Sequence, residues 1–229
     1  MMIQITNNDI NFYIDLLKSD KKFSFTRWGD GEWLCTFGAS GANCDGHSYF
    51  LEMRNGLNRA LDNPKGYFLA TWPQTESMMT NVWDTIQDRL EYSDTKKWVD
   101  ASVWEEAAMN GNLKDFIEQL EKMDFIVVSE SSKKELPMNY SDFIEVPETN
   151  CFLEKERIKE EMVLMCDKYD LPVFGLSASM ATNVIVDELY DEIGDSCWMI
   201  DLGSIWEPFL KNSVHARSYH STYKTTKLK

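Results

Sequence analysis

The feature that most constrains this 229-residue chain is the alternation, in its second half, of short apolar runs with longer helical ones. Residues 125–129, 143–146, 171–176 and 197–202 have the length and composition of buried strands, and residues 154–169 and 179–189 repeat apolar side chains at helical spacing. Strands joined through helices pair in parallel and have both faces covered by their connections. The predicted class is therefore α/β: a Rossmann-like, mostly parallel sheet with helices on both faces. In such a sheet ligands bind beyond the carboxyl ends of the strands, at the switch in strand order.

The first half reads in the same terms. Asn7 and Asn8 precede an apolar-periodic run at 10–17, which predicts a capped helix. Residues 23–28 are β-prone and stop at Gly29-Asp30-Gly31, which predicts a strand running into a sharp loop. A helix at 49–61 closes near Asn63-Pro64, and 67–71 reads as the next strand. Helical patterns at 74–91 and 104–123, the second interrupted at Gly111, suggest a helical insertion near 74–123 in a single domain spanning 1–229.

A net charge of -15 repels nucleic-acid backbones and anionic lipid, so a nucleic-acid partner is disfavoured though not excluded. The exception is the basic tail at 211–229, where Arg217, Lys224, Lys227 and Lys229 lie among His215, Tyr219, His220 and Tyr223. It reads either as cover for a phosphate-bearing ligand or as a solvated end. Five cysteines without C-x-x-C spacing argue against a disulfide framework or a structural zinc site and for reduced thiols. With no signal-like N-terminus and no apolar stretch near 18 residues, the expectation is a cytoplasmic chain with no membrane span.

The chemistry concentrates at strand ends. Asp30 and Glu32, two apart in an extended loop, would point to one side and attract a hard divalent cation such as Mg²⁺ or Mn²⁺. Gly29 and Gly31 let a ligand approach closely, and Arg27 offers a planar fork suited to phosphate. A plain surface turn is the competing reading of Gly-Asp-Gly. Ser177 and Ser179 stand in a small-residue turn that opens a helix, either as a seat for a diphosphate or with Ser179 as a simple N-cap. Asp201 suits a sugar hydroxyl or the metal, and Glu148 and Asn150 suit ribose, base or sugar hydroxyls; capping roles explain each of these as well. Three histidines and no nucleophile elbow argue against Ser-His-Asp chemistry.

These residues resemble the GT-D-type glycosyltransferases, a family first classed as a domain of unknown function and found in bacterial adhesin and polysaccharide glycosylation. The family opens with an apolar strand followed by R-[FY]-G-D-G-E-[FW], and Arg27-Trp28-Gly29-Asp30-Gly31-Glu32-Trp33 matches it with Trp28 in the aromatic slot. Segments 125–128, 143–152, 174–181 and Asp201-Leu202-Gly203-Ser204 follow in the family's order, so the resemblance spans roughly residues 10–210. It implies a Rossmann-like fold, a nucleotide-sugar donor carrying uridine diphosphate, and a D-x-E metal motif on Asp30 and Glu32 that holds Mn²⁺ or Mg²⁺; the expected acceptor is a glycan, a glycoprotein or another hydroxyl. Gly175-Leu176-Ser177-Ala178 departs from the family's Gly-Pro or Gly-x-Gly turn, and residues 92–111 have no counterpart. A metal-dependent phosphohydrolase and a non-catalytic nucleotide-sugar-binding module are the rival readings.

Overall fold

A computed structural model describes residues 5–74, 79–80, 82–90, 98–210 and 218–224. The first half contains α1 (Ile10–Lys18), β1 (Ser24–Trp28), α2 (Asp30–Thr36), α3 (Leu51–Asp62), β2 (Phe68–Thr71), α4 (Trp83–Leu90), β3 (Trp98–Asp100), α5 (Val103–Asn110) and α6 (Leu113–Leu120). The second contains β4 (Asp124–Ser129), β5 (Asp142–Glu145), α7 (Lys155–Lys168), β6 (Pro172–Leu176), α8 (Ala181–Ile193) and β7 (Trp198–Asp201). The seven strands form one sheet in the order β3-β2-β1-β7-β6-β4-β5, and every pairing is parallel. The Rossmann-like α/β expectation is met, with an all-parallel sheet where a mostly parallel one was predicted.

The strands are apolar on both faces because helices cover both. Along β4, Ile126 and Val128 enter one core while Phe125 and Val127 enter the other. The first core packs against α2, α3, α4, α7 and α8, and the second against α1, α5 and α6. Helix α1 shows the local logic: Ile10, Tyr13, Ile14 and Leu17 share its buried face, and the Asp9 carboxylate accepts from Phe12 N at 3.1 Å. The cap is thus Asp9, one residue past the expected Asn7 and Asn8.

Two segments depart from expectation. The loop predicted after β1 is the first turn of α2, because Trp33 anchors a helix there: its indole N–H donates to Trp28 O at 3.1 Å and Thr71 Oγ1 at 3.2 Å. Residues 74–123 are also more than a helical insertion, since they contribute the edge strand β3 between α4 and α5. Three residues are too few to show a periodicity.

Part of the C-terminal tail is docked. In the 3-10 turn Ser218–Thr222, His220 is buried, Tyr223 packs into the second core, and Lys224 N donates to Ala108 O at 2.9 Å. His215, Arg217, Lys227 and Lys229 lie outside the described residues. Among the described residues no helix is long and apolar enough to cross a membrane.

Candidate functional site

The chain leaves β1 for β2 on one side, whereas β7, its other neighbour, is entered from β6. Their carboxyl ends meet at this switch, beneath a cavity of about 530 Å³. Every strand supplies wall at or beyond its carboxyl end: Arg27, Asp30 and Glu32 at β1, Trp72 after β2, Glu105 after β3, Ser129, Glu130 and Lys133 at β4, Glu148 after β5, Ser177 and Ser179 after β6, and Asp201, Gly203 and Glu207 at β7. Of the predicted site residues, Arg27, Gly29, Asp30, Gly31, Glu32, Glu148, Ser177, Ser179 and Asp201 all line it. Asn150 does not. It adopts a left-handed φ of 56° and braces the neighbouring turn, accepting from Ser48 N at 2.8 Å and donating its own N–H to His47 Nδ1 at 3.1 Å.

Asp30 and Glu32 reach the cavity by a route the extended-loop reading did not contain. In a helix, residues two apart diverge around the axis, so the two carboxylates are not side by side as on an extended chain. Glu32 instead folds back, and its Oε2 accepts from Gly29 N at 2.9 Å in a capping-box contact. Gly29 permits this: a Cβ there would stand 3.2 Å from that oxygen and 3.3 Å from the Trp72 ring. Burial, opposed by backbone hydrogen bonds and reinforced by the nearby charges of Asp201 and Asp30, raises the Glu32 carboxyl to about 7.

Arg27 is nearly enclosed and is shared between two carboxylates. Its Nη1 donates to Glu105 Oε1 at 2.7 Å, its Nε lies 3.5 Å from Asp201 Oδ1, and its backbone N–H donates to Asp201 Oδ2 at 3.2 Å. The guanidinium also sits over Trp72, 5.2 Å from the ring centroid. Gly203, at φ 49°, makes room for it, because a Cβ there would fall 1.5 Å from Nη2. Burial raises the Asp201 carboxyl, Arg27 lowers it, and Glu105 raises it again. Arg27 thus bridges the ends of β1 and β7 to α5 while also lining the cavity.

Helix α5 is fixed by Trp104. Its ring is fully buried, 5.2 Å from Phe25 and 4.9 Å from Phe116, and its N–H donates to Asp201 O at 3.0 Å. The adjacent Glu105 is thereby held at the cavity.

The Ser177–Ser179 turn opens α8, and several of its polar groups are already used within the protein. Ser177 N donates to Val128 O at 2.8 Å, Ala178 N donates to Thr182 Oγ1 at 3.2 Å, and Ser177 Oγ donates to Gly203 O at 2.8 Å. Ser179, at φ 53°, accepts from Asn43 Nδ2 at 2.9 Å, and the α8 cap falls on Met180.

Several wall residues had no motif to announce them. Lys133 is 2% exposed, and its ammonium bonds both Glu130 and Glu207. Asn43 and His47 come from a tight turn in which Asn43 Oδ1 accepts from Asp45 N at 3.1 Å and His47 N at 3.0 Å. Trp72 and Glu130 directly follow predicted strands, so the strand-end rule alone would have flagged them. Among the described residues, eight carboxylates line the cavity against the two cations Arg27 and Lys133. An anionic ligand entering this field needs a positive counter-ion. No family model, curated protein or solved structure matches the chain.

Proposed function

We propose that this protein is a cytoplasmic, divalent-cation-dependent glycosyltransferase that moves a hexose from a nucleoside-diphosphate sugar, with uridine diphosphate as leaving group, to a glycan, glycoprotein or other hydroxyl acceptor. The observation that carries the reading is the delivery of Asp30 and Glu32, by the first turn of α2, into a cavity where seven parallel strand ends converge. The resemblance of residues 27–33 to the GT-D motif supplies the reaction class.

Asp30 and Glu32 offer hard oxygen donors of the kind that Mn²⁺ or Mg²⁺ takes. Among the described residues no three His, Cys, Asp or Glu side chains gather around one metal position, and two carboxylates suit a cation that takes its remaining oxygens from donor phosphates and water. The Glu32 carboxyl is raised chiefly by burial and to a lesser degree by the charges of Asp201 and Asp30, and a cation at this position would favour its ionised form. When bound, the cation supplies neutralisation of the charge that builds on the diphosphate as the anomeric bond breaks. Asp30 and Glu32 hold and orient the donor end of the cavity. Arg27, spanning Glu105 and Asp201, keeps the floor rigid so that the donor meets one geometry.

The test is product identity. A panel of nucleotide sugars with Mn²⁺ is expected to yield intact nucleoside diphosphate, slowly even without acceptor. Release of monophosphate or phosphate would establish a phosphohydrolase, and saturable binding without release a binding module. Asp30→Asn and Glu32→Gln are each expected to lower diphosphate release by about a hundredfold or more. Unchanged turnover in both overturns the assignment.

A further inference from the structure

Glu105 is an acceptor with one oxygen in use. Oε1 takes the Arg27 bond at 2.7 Å, while Oε2 has no hydrogen-bond partner among the described residues, although the residue is only 6% exposed and lines the cavity. Had Glu105 been placed only to neutralise Arg27, a bidentate fork would have used both oxygens. The guanidinium instead turns its Nε toward Asp201, which leaves Glu105 Oε2 without a donor from Arg27. A buried carboxylate oxygen without a partner is costly and is retained where something else satisfies it.

We infer that Glu105 and Trp72 form a subsite for a hydroxyl-bearing ring, with Glu105 Oε2 accepting from a ring hydroxyl and Trp72 underlying the ring's apolar face. Both residues contact Arg27, so they are neighbours, and the half-buried Trp72 also lines the cavity. A neutral hydroxyl suits this position better than a cation, because the guanidinium already balances Glu105, and better than a phosphate, because Asp201 adds a second carboxylate there. Read with the proposed transferase activity, on which this assignment of role rests, the ring is the sugar of the donor or acceptor, and Glu105 selects among sugars by a hydroxyl position.

The experiment is saturation-transfer NMR on the full chain with diamagnetic Mg²⁺, using uridine diphosphate, its glucose, galactose and N-acetylglucosamine conjugates, and the free methyl glycosides. Wild type is compared with Glu105→Gln, which keeps an oxygen for Arg27, and with Trp72→Leu. Sugar-ring protons are expected to receive saturation in the wild type. Each variant should raise the Kd of the sugar-bearing probes about tenfold or more, while the Kd of uridine diphosphate moves by less than about twofold. If both kinds of probe weaken equally, or neither responds, Oε2 is met by an ordered water and the inference falls. It falls too if no hydroxylated ring binds the wild type. If methyl glycosides bind through Glu105 while the uridine nucleotides do not bind, the subsite stands and the transferase reading fails.

Discussion

Arg27 and Lys133 are both buried in the wall of one cavity, each between two carboxylates, yet they are built differently. Arg27 divides a planar fork between Glu105 and Asp201, lies over Trp72 and fits against Gly203. Lys133 is a point charge gripped by Glu130, three residues upstream, and by Glu207 in the turn Gly203–Phe209 after β7. The fork sets angles as well as distances, whereas the ammonium sets only distances. The region around β1 is thus geometrically specified, and the region after β4 is held together by charge.

The largest effects should break this comparison. Arg27→Ala leaves Glu105 and Asp201 buried without their cation and is expected to cost about 3–5 kcal/mol in urea unfolding. Lys133→Ala should cost about 3 kcal/mol or less, because the Glu130 side chain is 15% exposed and can be rehydrated. A larger loss at Lys133 would invert the ranking. Next comes Gly203→Ala, whose methyl collides with the guanidinium at a left-handed φ; about 2 kcal/mol of destabilisation is expected. The same substitution should cost less, about 1 kcal/mol, in an Arg27→Ala background, where the collision is gone and the strain of alanine at a left-handed φ remains.

The smallest effect sharpens the Arg27 side alone. Because the folded protein raises the Glu32 carboxyl from 4.5 to about 7, it keeps a proton that the unfolded chain has released across that interval. Stability without added cation therefore falls as pH rises through the window, and Glu32→Gln should flatten the fall by about 1 kcal/mol between pH 5 and 8, read from urea midpoints. Asp201, also raised, is coupled to Glu32, so the flattening reports the pair rather than Glu32 alone.

Much of the architecture was legible because buried parallel strands are nearly continuous apolar runs. The run at 171–176 became Pro172–Leu176 and that at 125–129 became Asp124–Ser129. What escaped was short or context-made. Strand β3 has three residues, and without it neither the edge of the sheet nor the placement of Glu105 can be derived. Helix α2 was hidden by two glycines, although Gly29-x-x-Glu32 has the spacing of a capping box. The site divides in the same way. Arg27, Asp30 and Glu32 are contiguous and therefore readable, whereas Lys133, Glu130 and Glu207 meet only after the ends of β4 and β7 are brought together.

The bond from Lys224 N to Ala108 O joins the far end of the described chain to α5, the helix that carries Glu105, and Tyr223 packs beside it in the second core. The C-terminal segment is in this sense a strut: cutting the chain before residue 218 withdraws support from a helix whose first turn faces the cavity. An alteration more than one hundred residues away in sequence would be transmitted to Glu105 over a single helix length.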